Sequence, residues 1–528
     1  VFLIFLQQVI FMWNDGYYTD GTYTYGYYRA LSPFYQRYCL LANGFEAPDP
    51  GPEGAHCELG FGQGVSLNIH AAAVPGAYWG TDFTPAHAAF ANSLLRASGA
   101  NGAFFDLSFA ELLERADLPM FDTISMHGVW SWISSHNQDL IVRFVRSFLK
   151  PGGVFYFSYN CYPGWAEKHP LRELLILKDA YARTGYGTDE RAAAAVSFAQ
   201  EALSHCPPRY KDDERLRGTL ERLKKLDPAY VAHEYLNRDW NVMYFTEVAE
   251  RMADAKLDFA CSSSLLDTLD ALEELNVPNP TWQYLNSFKN PLLREELRDI
   301  IINRQFRGDL YIKGARRLSF EERCRRLLAT RYILLQKAPS PEVSVKGYYR
   351  QITVKPELAQ PVLDHLRSDP ARPRDYLDFA SAHPELSREA LTGLLLALVN
   401  GGVIAPCQDD ETAEAALPFC RRLNSHLCRE ALSRGTVKEI ACPVLGLGLG
   451  IDRFSQMMLH FTLTGQDGPG LGRKEWRELS DRGQNLVVEG KMLNSEQDNI
   501  AELERREHDF LTLDLPLLKR LKIAPADV

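Results

Sequence analysis

The first third of the chain predicts an α/β fold, a parallel sheet with helices on both faces. Three observations carry this. Short apolar runs alternate with amphipathic helical patterns up to about residue 170, the pattern of βα units around a parallel sheet. A glycine-rich stretch, Gly60-Phe61-Gly62-Gln63-Gly64, follows the first apolar run and precedes a helix. The later runs end in polar residues, at Asp82, Asp106, His127 and Asn160, which the fold gathers at one edge of its sheet.

In order, the strands are expected at Ala55–Leu59, Ala77–Thr81, Ala103–Phe105, Phe121–Met126 and Val154–Tyr159. Helical periodicity falls between them at Pro85–Ser98, Phe109–Ala116 and Gln138–Leu149. Lys150-Pro151-Gly152-Gly153 marks a turn before the fifth strand. From Leu171 to Leu226 the pattern is helical, with an alanine-rich stretch at Arg191–Ala199. Asp227 to Tyr311 reads as a separate middle unit in which Trp240–Asp254 passes from strand to helix. The rest of the chain contains Arg374–Ala382, a break at His383-Pro384, then Ser387–Asn400 and Gly401-Gly402-Val403-Ile404. That helix–turn–helix–strand order resembles a winged-helix unit. The expected division is therefore 12–170, 171–226, 227–311 and 312–528.

Composition narrows the function. With 528 residues, several domains are expected. A net charge of −10 argues against a nucleic-acid backbone as the main partner, since phosphate binding needs a basic footprint. The pairs Arg316-Arg317 and Arg325-Arg326 read as solvated faces. Ten cysteines are scattered with no CxxC pair, and Cys420, His426 and Cys428 match no zinc spacing, so no metal is expected. Unpaired cysteines fit a reducing compartment, and the expected location is the cytoplasm. Val1 to Phe11 is uncharged and mostly apolar, too short for a bilayer span and without a basic leader. An upstream start-site misassignment ahead of Met12 is the expected explanation.

The glycine loop is the strongest chemical signal. Glycines let the backbone turn sharply and let a ligand lie directly against it. Asp82 lies eighteen residues beyond Gly64 at the end of the second strand, where a carboxylate accepts hydrogen bonds from both ribose hydroxyls. Asp106-Leu107, after the third strand, offers an acid or a backbone group to an adenine amine. The spacing Glu58-x-Gly60-x-Gly62-x-Gly64 differs from the GxGxxG of dinucleotide enzymes. It resembles motif I of class I methyltransferases, which implies S-adenosyl-L-methionine (AdoMet) as cofactor. The candidate cofactor-binding residues are thus Glu58, Gly60, Gly62, Gly64, Asp82, Phe83, Asp106 and Leu107.

Acceptor groups are expected where the fourth and fifth strands open, on His127 to Trp132 and Ser158 to Trp165. The candidates are His127, Trp130, Tyr159 and Asn160. His127 reads either as a general base or as a satisfied structural histidine. Asn160 reads as a positioning hydrogen bond, and Trp130, Trp132 and Trp165 as channel walls or core. No Asn-Pro-Pro-Tyr follows the fourth strand, which removes the usual marker of adenine, cytosine or glutamine N-methylation. Upstream, six tyrosines fall within Tyr17 to Tyr28. Either this segment folds over the donor pocket, Tyr25 included, with cation–π contacts, or it is an aromatic docking strand.

Together, Tyr23-Thr24-Tyr25-Gly26-Tyr27-Tyr28, the Glu58–Gly64 loop, His127 to Trp132 and Asn160-x-x-Pro163-Gly164-Trp165 resemble bacterial class I methyltransferases with a methyltransferase regulatory domain. The likeness continues through His233-Glu234-Tyr235-Leu236-Asn237, Arg304 to Asp309 and Pro443-Val444-Leu445-Gly446. This family includes proteins similar to rickettsial protein-lysine methyltransferases. The resemblance implies a donor domain, a dimerisation segment, a middle domain and a C-terminal domain, with a homodimer and a protein lysine as acceptor. A glycan or small polar metabolite is the alternative acceptor. Phe61 stands where the family's loop usually has cysteine. An outward ring there is harmless, whereas an inward ring crowds the donor and favours a catalytically silent scaffold.

Overall fold

The computed structural model describes residues 24–182, 187–208, 213–268, 280–335, 343–346, 351–466 and 470–526. The earlier tyrosines of the aromatic segment and the Val1–Phe11 stretch lie outside the described residues.

The core is a seven-stranded sheet. Its strands are β1 (Ala55–Leu59), β2 (Ala77–Thr81), β3 (Gly102–Phe105), β4 (Phe121–Met126), β5 (Leu149–Asn160), β6 (Leu257–Ser262) and β7 (Phe306–Lys313), in the order β3-β2-β1-β4-β5-β7-β6. The β1–β5 pairings are parallel, whereas β7 runs antiparallel to both β5 and β6. The order reverses direction between β1 and β4, and crevices of this fold open at such a switch point. The turn expected at Lys150–Gly153 lies inside β5, where the pairing with β4 shifts register between Phe121 and Thr123.

Helices flank the sheet: α1 (Pro33–Ala42), α2 (Val65–Ala73), α3 (Pro85–Ser98), α4 (Phe109–Leu113) and α5 (Ser135–Phe148). Ser108 caps α4 in a reciprocal capping box with Glu111, and Ser134 caps α5 through Asn137 N–H. One face of the sheet packs on α5 through Ile124, Phe155, Phe157, Ile141 and Val145.

The boundaries drawn from the sequence cut through this sheet. β6 and β7 come from residues 257–262 and 306–313, inside the stretch read as a separate middle unit. Ninety-six residues lie between β5 and β6, so the last strands do not follow the βα rhythm of the first five. That intervening helical segment has a core of its own, joining Leu171, Leu175, Ala195, Leu220 and Leu223 to Val231 and Tyr235. Trp165 is buried in this core. No strand precedes the helix Phe245–Ala253, although Met243 makes an isolated bridge to Cys161.

Downstream, Arg331–Leu334 pairs antiparallel with Arg374–Asp375 and Ile404–Cys407, beside helices Tyr376–Ala382 and Arg388–Asn400. This is the helix–turn–helix–strand unit read from the sequence. The 22-residue helix Asp410–Ala431 lies across α2 and α3, burying Cys420, Leu423 and Leu427 against Val65, Ile69 and Leu94. The C-terminal region therefore buttresses the helix that follows the glycine loop. No helix among the described residues is long and apolar enough to cross a membrane.

Candidate functional site

A cavity of about 330 Å³ opens over the carboxyl ends of β1, β2, β3 and β4. That volume is at the lower end of the range for small-molecule sites. The loop beneath it turns on three glycines with positive φ: 70° at Gly60, 56° at Gly62 and 68° at Gly64. A Cβ at Gly60 would sit 2.7 Å from Val129 Cγ2, so a side chain there is excluded by its neighbour as well as by its backbone.

Side chains then lock the loop to β2. Gly60 N–H donates to Thr81 O at 2.8 Å, and Gly62 N–H donates to Asp82 Oδ2 at 2.9 Å. The other Asp82 oxygen accepts from Thr84 N–H and meets His87 Nδ1, both at 3.0 Å. Glu58 is buried in the same wall. Desolvation, with Asp82 close by, pushes its carboxyl up to about 8.

Glu58, Gly60, Gly62, Asp82, Phe83 and Leu107 all line the cavity, as does His127. Gly64 does not. It sits at the N-terminus of α2, where a Cβ would lie 2.6 Å from that of Ala91, so it serves the packing of α2 on α3. Asp106 points into solvent. Thr81 Oγ1 donates to the Leu107 carbonyl and accepts from its N–H, which fixes the turn after β3 beside the cavity. Phe61 also lines the cavity, and its ring joins the apolar cluster of Leu67, Tyr78, Ala88 and Phe104.

Period-two alternation explains the remaining displacements. In the extended segment before α1, Thr24, Gly26 and Tyr28 face the cavity, and Tyr25 and Tyr27 face away. Tyr25 packs edge-on to Phe90, while Tyr27 bonds His70 Nε2 and accepts from Gly448 N–H. In β5, Phe155, Phe157 and Tyr159 stack along the α5 face, and Tyr159 Oη donates to the buried Asp309. Tyr156, one face over, is the residue that reaches His127. Asn160 shares that face but lies beyond the cavity, its N–H on Ser131 Oγ and its Nδ2 without a partner among the described residues. Trp130 is fully buried against Phe157, and its neighbour Trp132 lines the cavity.

His127 sits in an aromatic sandwich. Its Nδ1 lies 2.9 Å from Tyr156 Oη, its ring stacks on Tyr28 at 3.9 Å between centroids, and Phe306 stands edge-on at 5.7 Å. Burial lowers its pKa to about 4, so the ring is neutral at physiological pH. Gly128 N–H donates to Ser158 Oγ, fixing the loop that carries it. Sequence reasoning missed Tyr156, His87 and Asp239 as site residues. Tyr156 was findable from the alternation in β5, whereas Asp239 arrives from a distant segment with no local signal. No cluster of His, Cys, Asp or Glu among the described residues is arranged to hold a metal.

Comparison with known proteins fits this geometry. Residues 57–155 match the family model "Methyltransferase domain", and residues 227–313 match "Predicted methyltransferase regulatory domain". The second match covers β6 and β7. The uncharacterized protein sll1526 of Synechocystis is 31% identical over 518 residues, 97% of this chain and 100% of the relative. The uncharacterized protein RP789 of Rickettsia prowazekii is 25% identical over 285 residues, 54% of this chain and 50% of its own. Among solved structures, PKMT2 from Rickettsia typhi in complex with AdoHcy has the same fold, with a TM-score of 0.66, 17% identity and coverage of 95% of this chain and 100% of its own. The chain belongs to the class I AdoMet-dependent methyltransferases that carry a methyltransferase regulatory domain.

Proposed function

We propose that this methyltransferase acts on an amine, the ε-amino group of a lysine side chain in a protein. The observation that carries the reading is the neutral His127, held between Tyr28 and Tyr156 on the wall of the donor cavity. The PKMT2 fold, with its bound AdoHcy, supports it from outside the chain.

The cavity fits the donor. Gly60 and Gly62 on the cavity wall carry no side chains, and the position of Asp82 and Leu107 on that wall supports a ribose contact for the first and an adenine contact for the second. Glu58, a buried carboxyl that burial keeps largely protonated at neutral pH, is matched to a cationic group. When bound there, AdoMet supplies an activated methyl whose bonding electron pair stays on sulfur as the acceptor's lone pair forms the new bond. Methyl transfer asks little covalent chemistry of the protein. It asks for alignment and for a neutral nucleophile.

His127 meets both needs by position. A neutral ring places no positive charge beside an incoming ammonium. Surroundings that lower the pKa of His127 lower that of a lysine amine as well, since both lose hydration. His127 is thus assigned to orienting the acceptor, with the amine proton released to solvent, rather than to general base catalysis. The test is transfer of a tritiated methyl from AdoMet to purified lysine-rich proteins, set against a glycan and metabolite pool. Label recovered as methyl-lysine after hydrolysis is expected. Label confined to the small-molecule or glycan fraction would overturn the lysine assignment.

A further inference from the structure

A second cavity, also of about 330 Å³ and more open, lies on the other side of the Tyr28–His127 stack. The two cavities share Tyr28 and His127 as walls. Beyond Tyr156 and the segment Tyr27–Ala30, this cavity is lined from the far edge of the sheet, by the serines at the end of β6, Asp267, Arg304, and Phe306 and Gly308 at the start of β7. We propose that this second cavity is the entry port for the acceptor, admitting a lysine side chain from an extended protein segment so that its amine meets the donor cavity at His127. The inference rests on the amine reading given above.

Three features select that guest. The first is aromatic. Phe306 is 39% exposed, a conspicuous exposure for a phenylalanine on a sheet strand, and its ring stands edge-on to His127. With Tyr28 it forms an aromatic path leading inward, the surface along which a lysine stem lies while its charged head stays in polar surroundings.

The second is charge. The cavity base borders a buried cluster in which four carboxylates (Asp267, Glu295, Asp299, Asp309) meet three guanidiniums (Arg298, Arg304, Arg307). With Arg29 on the cavity wall the formal charges balance, so an entering ammonium meets no net repulsion. Asp267 faces the cavity, accepting from Arg304 Nη1 at 2.7 Å and from Ser262 Oγ at 3.3 Å. The cations on the cavity wall are Arg304, turned onto Asp267 and Asp299, and Arg29, exposed at the rim with its guanidinium 4.9 Å from the centre of the Tyr35 ring.

The third is space. A Cβ on Gly308 would lie 2.9 Å from Ser263 Oγ and 3.1 Å from Tyr156 Oη. Glycine at this position keeps the floor open and leaves Tyr156 free to hold His127.

Phe306 is the residue to change, because its exposure makes folding insensitive to it. With full-length protein, tritiated AdoMet and polylysine of about twenty residues as probe, Phe306→Lys is expected to raise the KM for polylysine about tenfold or more by repulsion. Calorimetric affinity for AdoHcy should be unchanged. A KM within about twofold of wild type in Phe306→Lys, with wild type active, overturns the entry port and leaves the lysine reading standing. Failure of the lysine reading looks different, since wild type then transfers no label to polylysine. A binding readout decides the port in that case. The thiol of the Phe306→Cys variant is labelled with a maleimide in the presence of n-butylammonium or n-butyrate. Protection by the cation alone supports the port, and equal labelling overturns it.

Discussion

The two sides of the Tyr28–His127 stack are built by different means. On the donor side, β1 to β4 carry a short loop turned by three glycines with positive φ and locked by its own hydrogen bonds, Gly60 N–H on Thr81 O, Gly62 N–H on Asp82 and Leu107 N–H on Thr81 Oγ1. On the far side, β5 to β7 place side chains, held by a buried ion cluster around Arg307. The glycine loop and the residues that lock it fall within about fifty residues, although the cavity wall also draws on Tyr28, His127 and Asp239. The far side joins residues from Tyr28 to Gly308.

The largest effect that would test this contrast is on the far side. Arg307 is 1% exposed and engages Asp299, Asp309 and Glu295 at 2.8 to 3.0 Å. Arg307→Ala leaves three buried carboxylates short of a partner and is expected to cost about 3–5 kcal/mol. A lowered thermal midpoint and faster proteolysis between β5 and β7 would be seen. If the stability is unchanged, the cluster is not what holds that half of the sheet.

Next comes Asp82→Ala, on the donor side. It removes two backbone clamps and the proposed ribose acceptor together. With hydrogen bonds to a charged group at about 1.5–3 kcal/mol each, AdoHcy affinity should fall about a hundredfold or more while the fold is kept. Calorimetry gives the affinity and circular dichroism the fold. Loss of folding without a specific loss of binding would erase the distinction between the two sides.

This division also accounts for what the sequence disclosed. Helix Pro85–Ser98 and strands β1, β2 and β4 follow the periodicity residue for residue, because each satisfies its pattern locally. Glu58, Gly60, Gly62 and Asp82 stand where motif spacing put them, since the loop's geometry is written in its own residues. The misses have one cause. Tyr25 and Tyr159 are one step off in a period of two, and which face of an extended segment looks into a cavity is decided by what packs on the other. For Tyr159 that partner is Asp309, a hundred and fifty residues away. The placement of β6 and β7 is likewise a property of the closed sheet.

A smaller effect is expected at the stack itself. Tyr156→Phe removes the hydroxyl that meets His127 Nδ1 while keeping the ring. One neutral hydrogen bond is worth about 1 kcal/mol, so kcat should fall about fivefold with AdoHcy affinity unchanged. An unchanged kcat would show that the orientation of His127 does not limit the reaction.

The remaining effect is carried by a proton. Glu58 is held up to about 8 by burial and by Asp82, against an ordinary value near 4.5. In the folded protein it therefore binds a proton between those values that the unfolded chain has released. That stabilisation is full below 4.5 and is lost as pH rises through 8. A cationic donor group beside Glu58 reverses the preference, so AdoMet binding near pH 7 should expel this proton. Affinity should rise about tenfold from pH 7 to pH 9 and then level. Binding enthalpies measured in phosphate and in Tris should differ by close to one buffer ionisation, and Glu58→Gln should abolish both effects. If the pH dependence survives in Glu58→Gln, the coupling belongs elsewhere in the cavity, and Glu58 serves the packing of the loop rather than the charge of the donor.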